Sequence, residues 1–209
     1  MLERIAFLAF PGMTLLDLVG AYDAVRRLAP MGIAPRLSHR IVGTKATIED
    51  DSGFTVVPDA VYESLGDVDL LVVPGGAGTR RLMHDAQLLD YLRGYKGNRP
   101  LFSVCTGALL IGAAGHLKGK RATTHYLATA ELEPHCREVV TGERIVEDGH
   151  VTTAGGVASS IDLGLHIVER WWGEEARARV AAVMEYPPPF SVFEKTASAE
   201  RPAGSDSPR

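Results

Sequence analysis

The sequence predicts an α/β protein built on a largely parallel sheet. Two observations carry that reading. Strand-like and helix-like signals alternate over most of the chain. The apolar runs close on Gly or Pro, and helical periodicity then takes over. With 209 residues and no internal repeat, residues 1–190 are expected to form one domain with a single sizeable core.

The elements follow in order. Residues 4–10, "RIAFLAF", are a buried-strand pattern closed by Pro11-Gly12. From Leu15 the period changes: Leu15, Leu18, Tyr22, Val25 and Ala29 recur at helical spacing, with Pro30 just beyond. A second strand is expected over 36–43, and two β pieces around an acidic, Gly-containing turn over 46–58. "DLLVVPGG" (69–76) is a strand running into Gly-Gly, followed by a mixed helical segment to about Tyr95. "PLFSV" (100–104) is another strand, and the next segment a helix ended by Gly115. Short strands are expected in 121–126 and 137–156, the latter with an Asp-Gly turn, before a last long helix through 161–172. Residues 191–209 are polar and Pro/Ser-rich, so a loose tail is expected there.

Composition narrows the class of function. Hydrophobic residues make up 45% and charged residues 23%, ordinary for a soluble domain. The net charge of −4 offers no general attraction to nucleic acid or anionic membrane, and no apolar run approaches a membrane span. The N-terminus does not read as a secretory signal, and two cysteines make no disulfide framework, so a cytoplasmic setting is expected. The seven histidines lack paired ligand spacing, and neither a P-loop nor a G-x-G-x-x-G follows a strand; no metal and no cofactor are expected.

In open α/β sheets ligands bind at the carboxyl ends of the strands. Pro11–Asp17, Pro74–Gly78 and Cys105–Thr106 are delivered to such ends. Cys105 stands between a strand and a helix, the context of a nucleophile elbow, where the helix N-terminus is expected to favour the thiolate. The alternative is a small apolar filler. Gly75 and Gly76 permit close backbone approach and are expected to aim an N–H at an oxyanion site; a plain turn is the alternative. Asp17 fits a capping box with Thr14 as N-cap, or a buried, protonated carboxyl beside Cys105. Thr106 either touches substrate or caps the following helix. His125 either reaches the pocket, even as a base for Cys105, or is a half-buried histidine bonded to backbone.

The combination is more telling than its parts. "FLAFPGMTLLDLVGAYDAV", "LLVVPGGAGTRRLM", "SVCTGALLIGAAGHLKGKRATTHY" and "VTTAGGVASSIDLGLHIVE", in this order, resemble the ThiJ/PfpI superfamily over roughly residues 3–190. Asp17 in "LLDL", Thr106 after the cysteine, "GKRATTHY" and "EYPPPF" are similar to its isonitrile (isocyanide) hydratase group. The resemblance implies a flavodoxin-like three-layer sandwich of the class I glutamine-amidotransferase type. It implies Cys105 as nucleophile, Asp17 as acidic partner, main-chain donors near Gly76 and Thr106, a small-molecule substrate, and a homodimer with its sites near the interface. Thr106 stands where the peptidase-like branch has histidine, which moves the expectation from peptide cleavage to hydration of an isonitrile, a lyase reaction. Ala21 stands where the hydratases typically have proline. A glyoxalase-like reaction on small dicarbonyls, or a ligand- or redox-sensing role, are the competing expectations.

Overall fold

The computed structural model describes residues 2–95 and 98–186; "PPPF" and the polar tail expected to be loose lie outside them. The chain runs β1 (Arg4–Ala9), α1 (Leu15–Arg26), β2 (Ser38–Gly43), β3 (Ile48–Glu49), β4 (Thr55–Val56), β5 (Ala60–Val61) and β6 (Leu70–Val73). It continues with α2 (Thr79–Leu82), α3 (Ala86–Arg93), β7 (Leu101–Val104), α4 (Gly107–Ala113), β8 (Arg121–Ala122) and α5 (Thr129–Leu132). The last elements are β9 (Glu138–Val139), β10 (Ile145–Asp148), β11 (Val151–Ala154) and α6 (Ser159–Val183).

Seven strands form one sheet in the order β10-β11-β7-β6-β1-β2-β5. Every pairing in it is parallel except the β10–β11 hairpin, which turns at Gly149-His150, directly after Asp148, with Gly149 at φ 67°. β6, β7 and β11 are buried at every position, which suits their place in the middle of a covered parallel sheet. On one side α1 packs along α6, and α6 touches β7 and β11. On the other, α4 lies on β6 and β7 and gathers α2, α3 and α5.

After β1 the chain moves outward to β2, then returns to pair β6 on the other edge of β1. This is a topological switch point, and the loops after β1, β6 and β7 diverge there to leave a crevice. All three expected site segments start at it.

α1 and α6 approach closely because small residues face each other. A Cβ added at Gly20 would lie 2.1 Å from Ser160 Oγ and 2.8 Å from its Cβ. That hydroxyl donates to Leu16 O at 3.0 Å, pinning the turn that carries Asp17. Gly20→Ala is therefore expected to push the helices apart and to destabilise the chain by about 1–3 kcal/mol. A thermal melt checks it, at roughly 2–4 °C per kcal/mol for a chain of this size.

α6 is interrupted at Gly173, whose φ of 87° turns the chain just after Trp171-Trp172. The segment 121–126 departs from expectation: only Arg121–Ala122 is strand. Beyond it, the Thr123 N–H goes to the Thr153 hydroxyl rather than to a neighbouring main chain, and His125 opens a short 3₁₀ turn.

Candidate active site

Cys105 joins β7 to α4 with φ 54°, a left-handed conformation that costs a residue with a Cβ on the order of 1–3 kcal/mol. Neighbours on three sides hold it there. Its N–H is shared between Ala154 O (3.0 Å) and Gly155 O (2.9 Å), and the buried Thr124 hydroxyl donates to its carbonyl at 2.9 Å. Against the elbow lies Gly75, where a Cβ would sit 2.5 Å from Thr106 N and 2.8 Å from Cys105 Cβ. A Cβ at Gly107 would lie 2.4 Å from Val73 O. The turn is thus sharp, over-determined and dependent on two absent side chains.

Asp17, on the helix after β1 and so two strands across the sheet from β7, is fully buried. Its Oδ2 accepts the Gly75 N–H at 2.9 Å, and Oδ1 has no hydrogen-bond partner of good geometry among the described residues. The neighbouring polar group is the Cys105 thiol, with which the carboxyl interacts directly. The capping box does not form. Thr14 occupies the N-cap position of α1, yet its hydroxyl donates to Asp51 at 2.6 Å, and Asp17 turns inward instead of back along its own helix. Burial pushes the Asp17 carboxyl up to about 7, and the Gly75 N–H and the thiol only partly offset it.

The Cys105 thiol is pushed up to about 12, first by burial and then by the charge of Asp17; the Thr106 N–H and hydroxyl oppose this. The expected thiolate at a helix N-terminus is therefore reversed. Burial and the adjacent Asp17 carboxylate both act against the thiolate there. Carboxyl and thiol form one coupled acid. Between about pH 7 and 12 they hold one proton between them.

The other expected site residues are placed as follows. Gly75 N is spent on Asp17, and Gly76 N donates to Thr106 Oγ1 at 2.9 Å, so neither N–H is the free oxyanion donor the sequence suggested. Thr106 neither caps α4 nor offers a free hydroxyl, because Oγ1 also donates to Gly76 O at 3.1 Å. It clamps the two loops together. The Thr106 main-chain N–H, with its hydroxyl, is on the side of the sulfur and favours the thiolate. His125 packs on Tyr126, and its Nδ1 accepts the Leu127 N–H at 3.3 Å. The groups that set the thiol's acidity are Asp17 and Thr106, not His125. Sequence reasoning missed Thr124 as a brace of the elbow, since nothing local tells one threonine of "ATTHY" from the other.

Among the described residues no group of three or more His, Cys, Asp or Glu side chains is placed to hold a metal ion, and no helix is long and apolar enough to cross a membrane. A cleft of about 420 Å³ adjoins the elbow, lined by Thr123, Thr124, Arg144, Gly155, Gly156 and Ser159 among others.

Comparison with known proteins agrees with this architecture. The isonitrile hydratase of Pseudomonas putida is 36% identical over 186 residues, covering 88% of this chain and 79% of that protein. The HTH-type transcriptional regulator GbdR of Pseudomonas aeruginosa is 26% identical over 193 residues, which are 88% of this chain but 51% of the regulator. Among solved structures, a ThiJ/PfpI family protein from Pseudomonas syringae superposes with a TM-score of 0.79 at 31% identity, covering 91% of this chain and 78% of that one. Drosophila melanogaster DJ-1beta gives 0.78 at 20% identity over 90% of this chain and 100% of its own, a likeness of fold. The sequence pattern of the DJ-1/PfpI family matches residues 3–170, and the chain belongs to that family.

Proposed function

We propose that the chain hydrates organic isonitriles to N-substituted formamides, with Cys105 as nucleophile and Asp17 as proton carrier. The observation that carries this reading is the buried Asp17–Cys105 pair at a strained elbow. The 36% identity to an isonitrile hydratase supports it.

The chemistry uses the proton the pair holds. Transfer from Cys105 to Asp17 gives a thiolate beside a neutral carboxyl, with no change in net charge. The thiolate attacks the terminal carbon of R–N≡C, forming a C–S bond. Asp17 delivers its proton to that carbon, leaving the thioimidate R–N=CH–S–Cys105 and a carboxylate. Water then adds its hydroxyl to the carbon, while its other proton passes through Asp17 to nitrogen. The resulting R–NH–CH(OH)–S–Cys105 loses its hydroxyl proton to Asp17 as the carbonyl forms and the C–S bond breaks. Formamide leaves, and thiolate and neutral carboxyl are restored. The Thr106 N–H, on the side of the sulfur, stabilises the thiolate. No cofactor enters any step.

The proposed working form is a cytoplasmic homodimer. Leu16, Val19 and Phe54, exposed by 44, 37 and 64%, lie beside the turn that carries Asp17 and support pairing there. The match to half of a transcriptional regulator supports a competing reading as a ligand-sensing domain. Incubation with an aromatic isonitrile and, separately, methylglyoxal decides between them. Formamide from the first is the expected result. Hydroxy acid from the second alone would replace hydration by a glyoxalase-like reaction, and binding without turnover of either would favour the sensor.

A further inference from the structure

The cleft lies against the main chain of the elbow. Thr124, on one wall, donates to Cys105 O; Gly155, on another, accepts from Cys105 N. Thr123 and Ser159 line the same space while only 4% and 5% exposed. Main-chain N–H groups of both are taken, by Thr153 Oγ1 and Gly156 O, but neither side-chain hydroxyl has a partner among the described residues. Neither hydroxyl oxygen is sealed from solvent, so both stand open to the cleft and are available to a ligand that displaces water from them.

Hydrogen-bond donors surround them. Ser159 opens α6, whose N-terminus carries positive partial charge. Arg144 stands on the rim with Nε held by Asp162, which also accepts from Tyr186 OH at 2.9 Å. Held by that one edge, the guanidinium has no hydrogen-bond partner for its terminal amino groups among the described residues, leaving the fork that matches a carboxylate. Two carboxylates are near. Asp162 and Arg144 offset one another's charge, and Glu143, which lines the cleft, lies 3.9 Å from Arg121, itself paired to Glu138 at 3.4 Å. With that ion pair near neutral and Glu143 alongside, the open donor edge of Arg144 suits at most a monoanion and disfavours a dianion such as phosphate.

We propose that this cleft binds the carboxylate of a carboxylate-bearing isonitrile and of its formamide product. Arg144 takes the carboxylate by its two terminal amino groups, and the hydroxyls of Thr123 and Ser159 complete its hydrogen bonds. The substrate assignment rests on the hydratase reading; the binding of the carboxylate does not.

The test separates the two. Calorimetry with 4-formamidobenzoate and its methyl ester measures binding without chemistry, and the acid is expected to bind at least about tenfold more tightly, one lost charge-assisted bond being worth that much. That acid-to-ester ratio should fall toward one in Arg144→Gln and drop in Thr123→Val/Ser159→Ala; as each ratio is taken within one protein, a partial loss of folded material does not mimic it. Equal binding of acid and ester by the unaltered protein, or a ratio indifferent to both variants, overturns the carboxylate site. Turnover of 4-isocyanobenzoate and its methyl ester is measured alongside. Acid-selective binding with neither isonitrile converted overturns the hydratase reading and leaves the carboxylate site standing. Conversion of both with no acid preference in binding does the reverse.

Discussion

Cys105→Ala is expected to abolish formamide production, lowering turnover by roughly 10⁴-fold or more, because no other group in the crevice can form the covalent intermediate. The fold should survive. Alanine keeps the Cβ, so the left-handed elbow is neither relieved nor worsened, and the bonds from Ala154, Gly155 and Thr124 involve only the main chain of residue 105. A near-unchanged melting curve with no turnover is therefore the predicted pair of results, read by ultraviolet detection of formamide from an aromatic isonitrile. Cys105→Ser sharpens it. Serine presents a hydroxyl of far higher pKa to a carboxyl that is itself only weakly basic, so Asp17 cannot ionise it, and the variant should be as inactive as alanine. Formamide production at the wild-type rate by Cys105→Ala would end the covalent mechanism.

What the sequence made legible, and what it hid, divides along contact range. β1, β6, β7 and the helices after them are written locally: an apolar run, a Gly or Pro stop, a change of period. So is the hairpin turn directly after Asp148, and so was the placement of Cys105 between strand and helix. Asp17 was ambiguous because a capping box and a buried acid both ask for a carboxyl three residues after Thr14. The contact that decides between them is with Gly75, 58 residues further on. Donor direction at Gly75 and Gly76 was hidden for the same reason. Which N–H remains free depends on what accepts it, and Asp17 and Thr106 arrive from two other loops. The acidity of Cys105 was misjudged because the local signal, a helix N-terminus, lowers it, while the burial that raises it belongs to the assembled crevice.

Asp17→Asn is expected to trade stability against activity. In the folded chain the carboxyl keeps its proton up to about pH 7, whereas the unfolded chain releases it near 3.8. Between those values the folded state binds more protons, so its stability falls as pH rises from about 4 to 7 and stays low above. The deficit is on the order of 4 kcal/mol. Asparagine can keep the Gly75 N–H bond through its carbonyl oxygen and carries no charge to bury. The variant should therefore melt several degrees above wild type at pH 8, and the gap should close near pH 4. Activity goes the other way. Losing the proton carrier should slow hydration by about 10²–10⁴-fold and remove the rise in rate expected of wild type as the pair sheds its first proton near pH 7. Meanwhile the thiol loses the neighbouring charge that holds its acidity down, so alkylation of Cys105 by iodoacetamide at pH 8 should become faster even as turnover is lost. A nucleophile made more reactive in a less active, more stable protein is an outcome that a capping role for Asp17 cannot produce, since loss of a cap lowers stability and leaves the thiol unchanged.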